Sequence, residues 1–181
     1  MIIVSAPMAL ALNRLKVLLQ GITPAQFEKL AAALISELLD VEIAVAKSGF
    51  QHGGDAGPSG RQGRRFRIET KRYSSTILSD RELLGEIDHA LSRDPALEAW
   101  FLVATRAAPE QLEQDLMIKA DRLGLPIVVM DWKAERFPTL GALCTAAPDI
   151  VAAMVSPEAG GPCKRPIRRG TPKSGSPPRR P

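Results

Sequence analysis

The sequence predicts an α/β fold, a central mixed sheet flanked by helices, and three observations carry that prediction. AWFLVAT (99–105) and IVVMDW (127–132) are continuous apolar runs of strand length, the kind buried on both faces of a parallel sheet. Helical patterns alternate with these runs through the second half of the chain, which implies right-handed crossovers between parallel strands. RFRIETKRY (65–73) alternates with period two, so it reads as a strand with Phe66, Ile68 and Thr70 on one side and Arg67, Glu69, Lys71 and Tyr73 on the other.

The elements follow in chain order. Met1 to Leu12 is apolar but lacks a basic leader, is too short to span a bilayer, and runs into NRLKVLLQ, an amphipathic helix. Neither a secretion signal nor a membrane span is expected. Thr23 caps a second helix, with Pro24 in its first turn and Gln26 three residues after the cap, a capping-box arrangement. Phe27, Leu30, Ala31, Leu34, Ile35 and Leu38 form the buried stripe of that helix, over about 24–39. VEIAVAK (41–47) is a strand. SGFQHGGDAGPSGRQGRR then turns the chain through many glycines, with a short strand around Asp55.

After the alternating strand, Ser79 with Glu82 gives a second capping box, and Leu83, Leu84, Ile87 and Leu91 define a helix over about 80–93. Pro109 opens another helix, with Leu112, Leu116 and Leu123 on one side and Gly124 at its end. From residue 156 the chain is too rich in Pro, Gly and Arg to build a core, so 156–181 is expected to be a disordered tail. The organisation is then an N-terminal helical extension (1–21), one domain (22–155) and that tail. A hydrophobic content of 45% supports a core of this size.

Charge is unevenly placed. The formal net charge is +4, but Lys164, Arg165, Arg168, Arg169, Lys173, Arg179 and Arg180 all lie in the tail. Without them 17 basic side chains face 20 acidic ones, a body of net −3. Attraction to nucleic acid must therefore come from a local patch or from the tail. The tail is either a nonspecific nucleic-acid contact or a spacer. Cys144 and Cys163 are far apart and adjoin no histidine pair, which suggests neither a zinc site nor a disulfide framework and fits a reduced, cytoplasmic chain.

Chemistry concentrates in one region. Glu69 and Lys71 share a strand face, and Asp55 is close enough in sequence to join them through a hairpin. Two carboxylates repel each other, and a divalent cation between them makes the cluster favourable. Mg²⁺ prefers a few carboxylate and carbonyl oxygens with several waters. Such a cation lowers the pKa of a bound water and neutralises charge developing on a phosphodiester, while a lysine orients the water.

At these residues the sequence resembles the PD-(D/E)XK nuclease superfamily, whose signature is an aspartate, a variable turn and Glu-x-Lys on the next strand. FEKLAAALISELL, SGFQHGGDAG and RIETKRY together look like its Mrr-like restriction endonuclease branch, over about 22–132. The resemblance implies a restriction-endonuclease-like sheet and a Mg²⁺-dependent nuclease, with Mn²⁺ as a substitute. Asp55 and Glu69 would be metal ligands, the Thr70 carbonyl a third and Glu28 an extra one from the helix, with Lys71 orienting the water. Gln51 would also face the site. The sequence departs from the pattern in having Gly54, not proline, before Asp55, and an unusually polar linker before the Glu-x-Lys strand.

Each feature also has a plainer reading. Glu-x-Lys occurs on ordinary exposed strands, and Glu28 reads equally as a solvated helix charge. Arg61, Arg64, Arg65 and Arg72 flank the site as phosphate contacts or as a solvated basic stretch. His52 and His89 lack a second histidine at ligand spacing and read as surface or capping residues. Asp131 and Trp132 read as packing at a sheet edge. Three functions follow from different classes: an endonuclease acting on DNA, with RNA left open; a binding module that keeps the fold without cutting; and a small ligand-binding domain, disfavoured because no glycine-rich phosphate loop precedes a helix. The resemblance further implies defence against foreign DNA, with a sensor or NTPase partner for a chain in which no recognition module is read. A homodimer is the chemical expectation where both strands are cut, since one site makes one nick per encounter.

Overall fold

The computed structural model describes residues 6–41, 43–45, 56–58, 66–72, 78–133, 138–156 and 159. Eleven elements follow in the order α1 (Ala6–Gly21), α2 (Pro24–Leu39), β1 (Ile43–Val45), β2 (Ala56–Pro58), β3 (Phe66–Lys71), α3 (Asp80–Arg93), β4 (Ala99–Ala104), α4 (Glu110–Leu123), β5 (Ile127–Met130), α5 (Thr139–Ala146) and α6 (Pro148–Met154). The five strands form one mixed sheet in the order β1-β2-β3-β4-β5. β1, β2 and β3 pair antiparallel, and β3, β4 and β5 pair parallel. Parallel neighbours need a crossover, and α3 and α4 supply the two of them.

Two cores lie on opposite faces of the sheet. On one, Phe66 and Ile68 of β3 and Phe101 and Val103 of β4 pack with α1, α2, α5 and α6. On the other, Trp100, Leu102 and Ala104 of β4 pack with Leu83 and Ile87 of α3 and Leu112 and Leu116 of α4. β4 feeds both cores and is buried along nearly its whole length. Phe66 meets Phe101 edge to face at a centroid distance of 5.6 Å.

α2 starts as its sequence predicts. Thr23 Oγ1 accepts the Gln26 N–H and Gln26 Oε1 accepts the Thr23 N–H, a complete capping box. The helix ends at Asp40, a short polar residue that tolerates its left-handed φ of 53°. α4 ends at Gly124, also left-handed, with φ 59°. α1 is a working part of the first core: Leu12, Leu15 and Leu19, spaced to share one face, are buried in it. It meets α5 closely, since a Cβ on Gly141 would stand 3.2 Å from Leu12 Cδ2.

The structure corrects several expectations. Among the described residues β5 ends the sheet, and Ile127–Val129 are only half-buried, with Val128 and Met130 packed on the first core and Ile127 and Val129 on the second. Leu38 and Leu123 are exposed and drop out of the stripes assigned to α2 and α4. α5 and α6 follow β5, where no helix is expected. TLGALCTA has no polar face to give a helical period, and it is held by the burial of Leu140, Leu143 and Cys144. Ser79 accepts the Glu82 N–H, but the Glu82 carboxylate turns to Lys71, so the second capping box is only half made. The expected tail lies outside the described residues, apart from Ser156 and Ala159. No helix among the described residues is long and apolar enough to cross a membrane.

Candidate active site

The charged face of β3 arises from simple alternation. Ile68 is drawn into the first core, so Glu69 and Lys71 must project to the other side, toward α3. Parallel pairing sets Glu69 opposite Leu102 and Lys71 opposite Ala104, so the two charges end an otherwise apolar surface. The Thr105 N–H donates to the Lys71 carbonyl at 3.1 Å, which fixes the last residue of β3 against the chain leaving β4.

Lys71 Nζ lies 2.8 Å from Glu69 Oε1 and 2.7 Å from Glu82 Oε1. The side chains of Glu69 and Lys71 are 8% and 13% exposed, that of Glu82 48%, so one partner of the lysine is buried and the other faces solvent. Burial by itself pulls the Lys71 ammonium down. The hydrogen bonds to Glu69 and Glu82, with their coulombic attraction, outweigh it and hold Lys71 above the ordinary lysine value.

Glu82 is the residue that sequence reasoning placed elsewhere, as half of a capping box. Its signal was its position: the third residue of the helix that follows the Glu-x-Lys strand, 11 residues after Lys71. An open groove of about 610 Å³ runs along α3 beside it, lined by Ser79, Arg81, Glu82, Gly85, Glu86 and His89. Arg67, two residues before Glu69 on the same strand face, is half-buried, and its buried Nε has no hydrogen-bond partner among the described residues.

The other predicted site residues are dispersed. Glu28 is half-buried on α2, the helix packed on the far face of the sheet, against Phe66 and Ile68. Thr70 is half-buried between Glu69 and Lys71. Arg72 turns toward α1, where its Nη1 donates to the Gln20 carbonyl at 2.6 Å. Asp55, Arg61, Arg64, Arg65, Gln51 and His52 lie outside the described residues. The hairpin expected to carry Asp55 is present in its next residues: Ala56 opens β2 and pairs with Ile68, the residue before Glu69.

Asp131 is fully buried and acts as a joint. Its Oδ2 accepts the Ala108 N–H at 2.9 Å, its Oδ1 accepts Thr139 Oγ1–H at 3.2 Å, and its own N–H donates to Thr139 Oγ1 at 2.8 Å. It thereby ties the chain before α4 to the first turn of α5, which makes it a scaffold residue. Among the described residues no three of His, Cys, Asp and Glu gather closely enough to hold a metal ion.

Comparison with known proteins gives a likeness of fold. No protein-family model and no curated protein matches the chain. Among solved structures it is similar to the MspJI restriction endonuclease in complex with a 27-mer oligonucleotide, with a TM-score of 0.50 and 14% identity over 88% of this chain. The match covers 34% of that endonuclease, so this chain spans about one third of its length. At that identity the likeness speaks for fold alone, and the fold it supports is the restriction-endonuclease-like one.

Proposed function

We propose that the chain is a metal-dependent endonuclease acting on DNA. One observation carries the reading: a buried glutamate and an ammonium-bearing lysine share one face of β3, next to the hairpin strand that directly follows Asp55. The restriction-endonuclease-like fold supports the same conclusion, because it is a nuclease fold in the similar structure.

The donor set fits a hard divalent cation. Glu69 offers a buried carboxylate on a rigid strand, Thr70 a backbone carbonyl beside it, and Asp55 a second carboxylate one residue before β2. Glu28, across the sheet, has the least geometric support of the proposed ligands. Bound there, Mg²⁺ or Mn²⁺ would supply Lewis acidity toward a phosphodiester and a water of lowered pKa. Lys71 would orient the attacking water or stabilise the negative charge that grows on phosphorus-bound oxygens. Its ammonium suits this role because its neighbours keep it protonated.

The phosphate contacts fall to Arg61, Arg64 and Arg65, with Arg81 in the α3 groove as a further cation. Arg72 is withdrawn from this set by its bond to Gln20. A role in defence against foreign DNA, a recognition or sensor partner, and a homodimer for double-strand cutting all belong to this proposal.

The test is cleavage of supercoiled plasmid by wild type, Asp55→Ala and Lys71→Ala with Mg²⁺ or Mn²⁺, each variant checked for folding by circular dichroism. Nicking or linearisation by wild type, lost in both folded variants and in EDTA, supports the reading. A folded wild type that binds divalent cation neither in the presence nor in the absence of DNA, and cuts neither DNA nor RNA, replaces it with a non-cleaving binding module.

A further inference from the structure

We infer that Glu82 is a positioning residue: it holds the Lys71 ammonium on the α3 side of the site and so leaves the Glu69 carboxylate to a divalent cation. The inference deepens the nuclease reading and rests on it.

The geometry sets up an exchange. Lys71 Nζ is nearly equidistant from the two carboxylates, at 2.8 Å from Glu69 and 2.7 Å from Glu82. A divalent cation at Glu69 competes with the ammonium for the charge of that carboxylate, and directly for Oε1 if it takes that oxygen. With Glu69 as its sole partner, Lys71 would then be left charged, mostly buried and uncompensated, which is a costly state. An ammonium has three donors, and the second carboxylate lets it change partners without ever losing one.

Glu82 is built for that task. Its backbone is pinned at the start of α3, where its N–H reaches Ser79 Oγ at 3.4 Å. A carboxylate in the first turn of a helix is also favoured by the helix dipole. Its side chain is the solvent-facing partner of the pair and borders the α3 groove, so it can follow Lys71 without disturbing the core. Were the contact an ordinary surface ion pair, its loss would change little.

The experiment uses the full chain, labelled with ¹⁵N, as wild type, Glu82→Gln and Glu82→Asp, with circular dichroism to confirm folding. The Ser79 cap uses the backbone of residue 82, so both variants keep it. Proton exchange at the Lys71 ammonium is read from its ¹H–¹⁵N correlation, without metal and with Mg²⁺. The expected result is slow exchange in wild type in both conditions, several-fold faster exchange in Glu82→Gln without metal, and a further rise when Mg²⁺ is added. Glu82→Asp should fall between the two. Mg²⁺ affinity should weaken about tenfold in Glu82→Gln, because Lys71 then competes for Glu69 with no alternative partner. Equal exchange in wild type and Glu82→Gln without metal overturns the inference, as does an unchanged Mg²⁺ affinity. If Mg²⁺ shifts no amide signal of residues 69–71 in any variant, the metal-dependent reading itself fails. The metal-free comparison then decides whether Glu82 holds Lys71.

Discussion

Lys71 Nζ sits 2.8 Å from Glu69 Oε1, two residues away on the same face of β3, with both side chains largely buried. An ion pair in such a place is weak evidence for stability, because desolvation opposes the coulombic gain. Removing one partner is a different matter, since the other is then left buried and charged. Lys71→Met should destabilise the fold by about 2 kcal/mol in urea unfolding. The double change Lys71→Met/Glu69→Gln should recover most of that loss.

The same pair fixes a pH dependence. Lys71 is held above its usual value in the folded state, so its contribution to stability is complete below the unfolded lysine value of ~10.4. The contribution then falls as pH rises from there toward the raised folded value. The stability difference between wild type and Lys71→Met should therefore be constant from neutral pH to about pH 10 and shrink above it. Denaturant midpoints at a neutral and two alkaline pH values check this, and a difference that grows with pH would contradict it.

Arg72 closes the last turn of α1 by donating to the Gln20 carbonyl, one of the acceptors that a helix C-terminus leaves without an intrahelical partner. A cation there also complements the helix dipole. Arg72→Ala should cost about 1–2 kcal/mol of stability, and Arg72→Lys should restore part of it. Amide hydrogen exchange should rise in residues 17–21 before it rises in α2.

The Asp131 carboxylate and N–H bond to Ala108 and Thr139 at the junction of β5, α4 and α5. Asp131→Ala should lower stability by about 2–3 kcal/mol, since the Ala108 N–H and the Thr139 hydroxyl lose a buried partner. Measured at a temperature where the variant stays folded, its Mg²⁺ affinity should equal that of wild type.

Leu15 is fully buried between α1 and the rest of the first core. Leu15→Ala should cost about 2–5 kcal/mol in a single cooperative transition. A separate low-temperature melting step for α1 would instead make the helix an independent extension.

Much of the fold was legible because the local signals agreed with the tertiary outcome. Thr23, Pro24 and Gln26 fixed the start of α2, and AWFLVA had to be an inner strand because every residue in it is apolar. The signal was weaker where an apolar run meets an edge. Val128 and Val129 read like core residues, yet they are only half-buried, because β5 ends the sheet among the described residues. α5 was not legible because its exposed positions, Ala142 and Ala146, are apolar too, so no polar face marks its period.

The sequence by itself determined that Glu69 and Lys71 share a face, because strand alternation allows nothing else, and that a hairpin could bring the Asp55 segment beside them. Only the tertiary structure decided which charges meet. Glu82 could have completed its own helix cap, a local bond of similar strength, but β3 delivers an ammonium into a poorly solvated place where a second carboxylate lowers its free energy more. Arg72 likewise could have faced a phosphate, and instead the packing of α1 sets the Gln20 carbonyl within its reach. Both choices depend on helices brought to β3 by long-range packing, which no local pattern encodes.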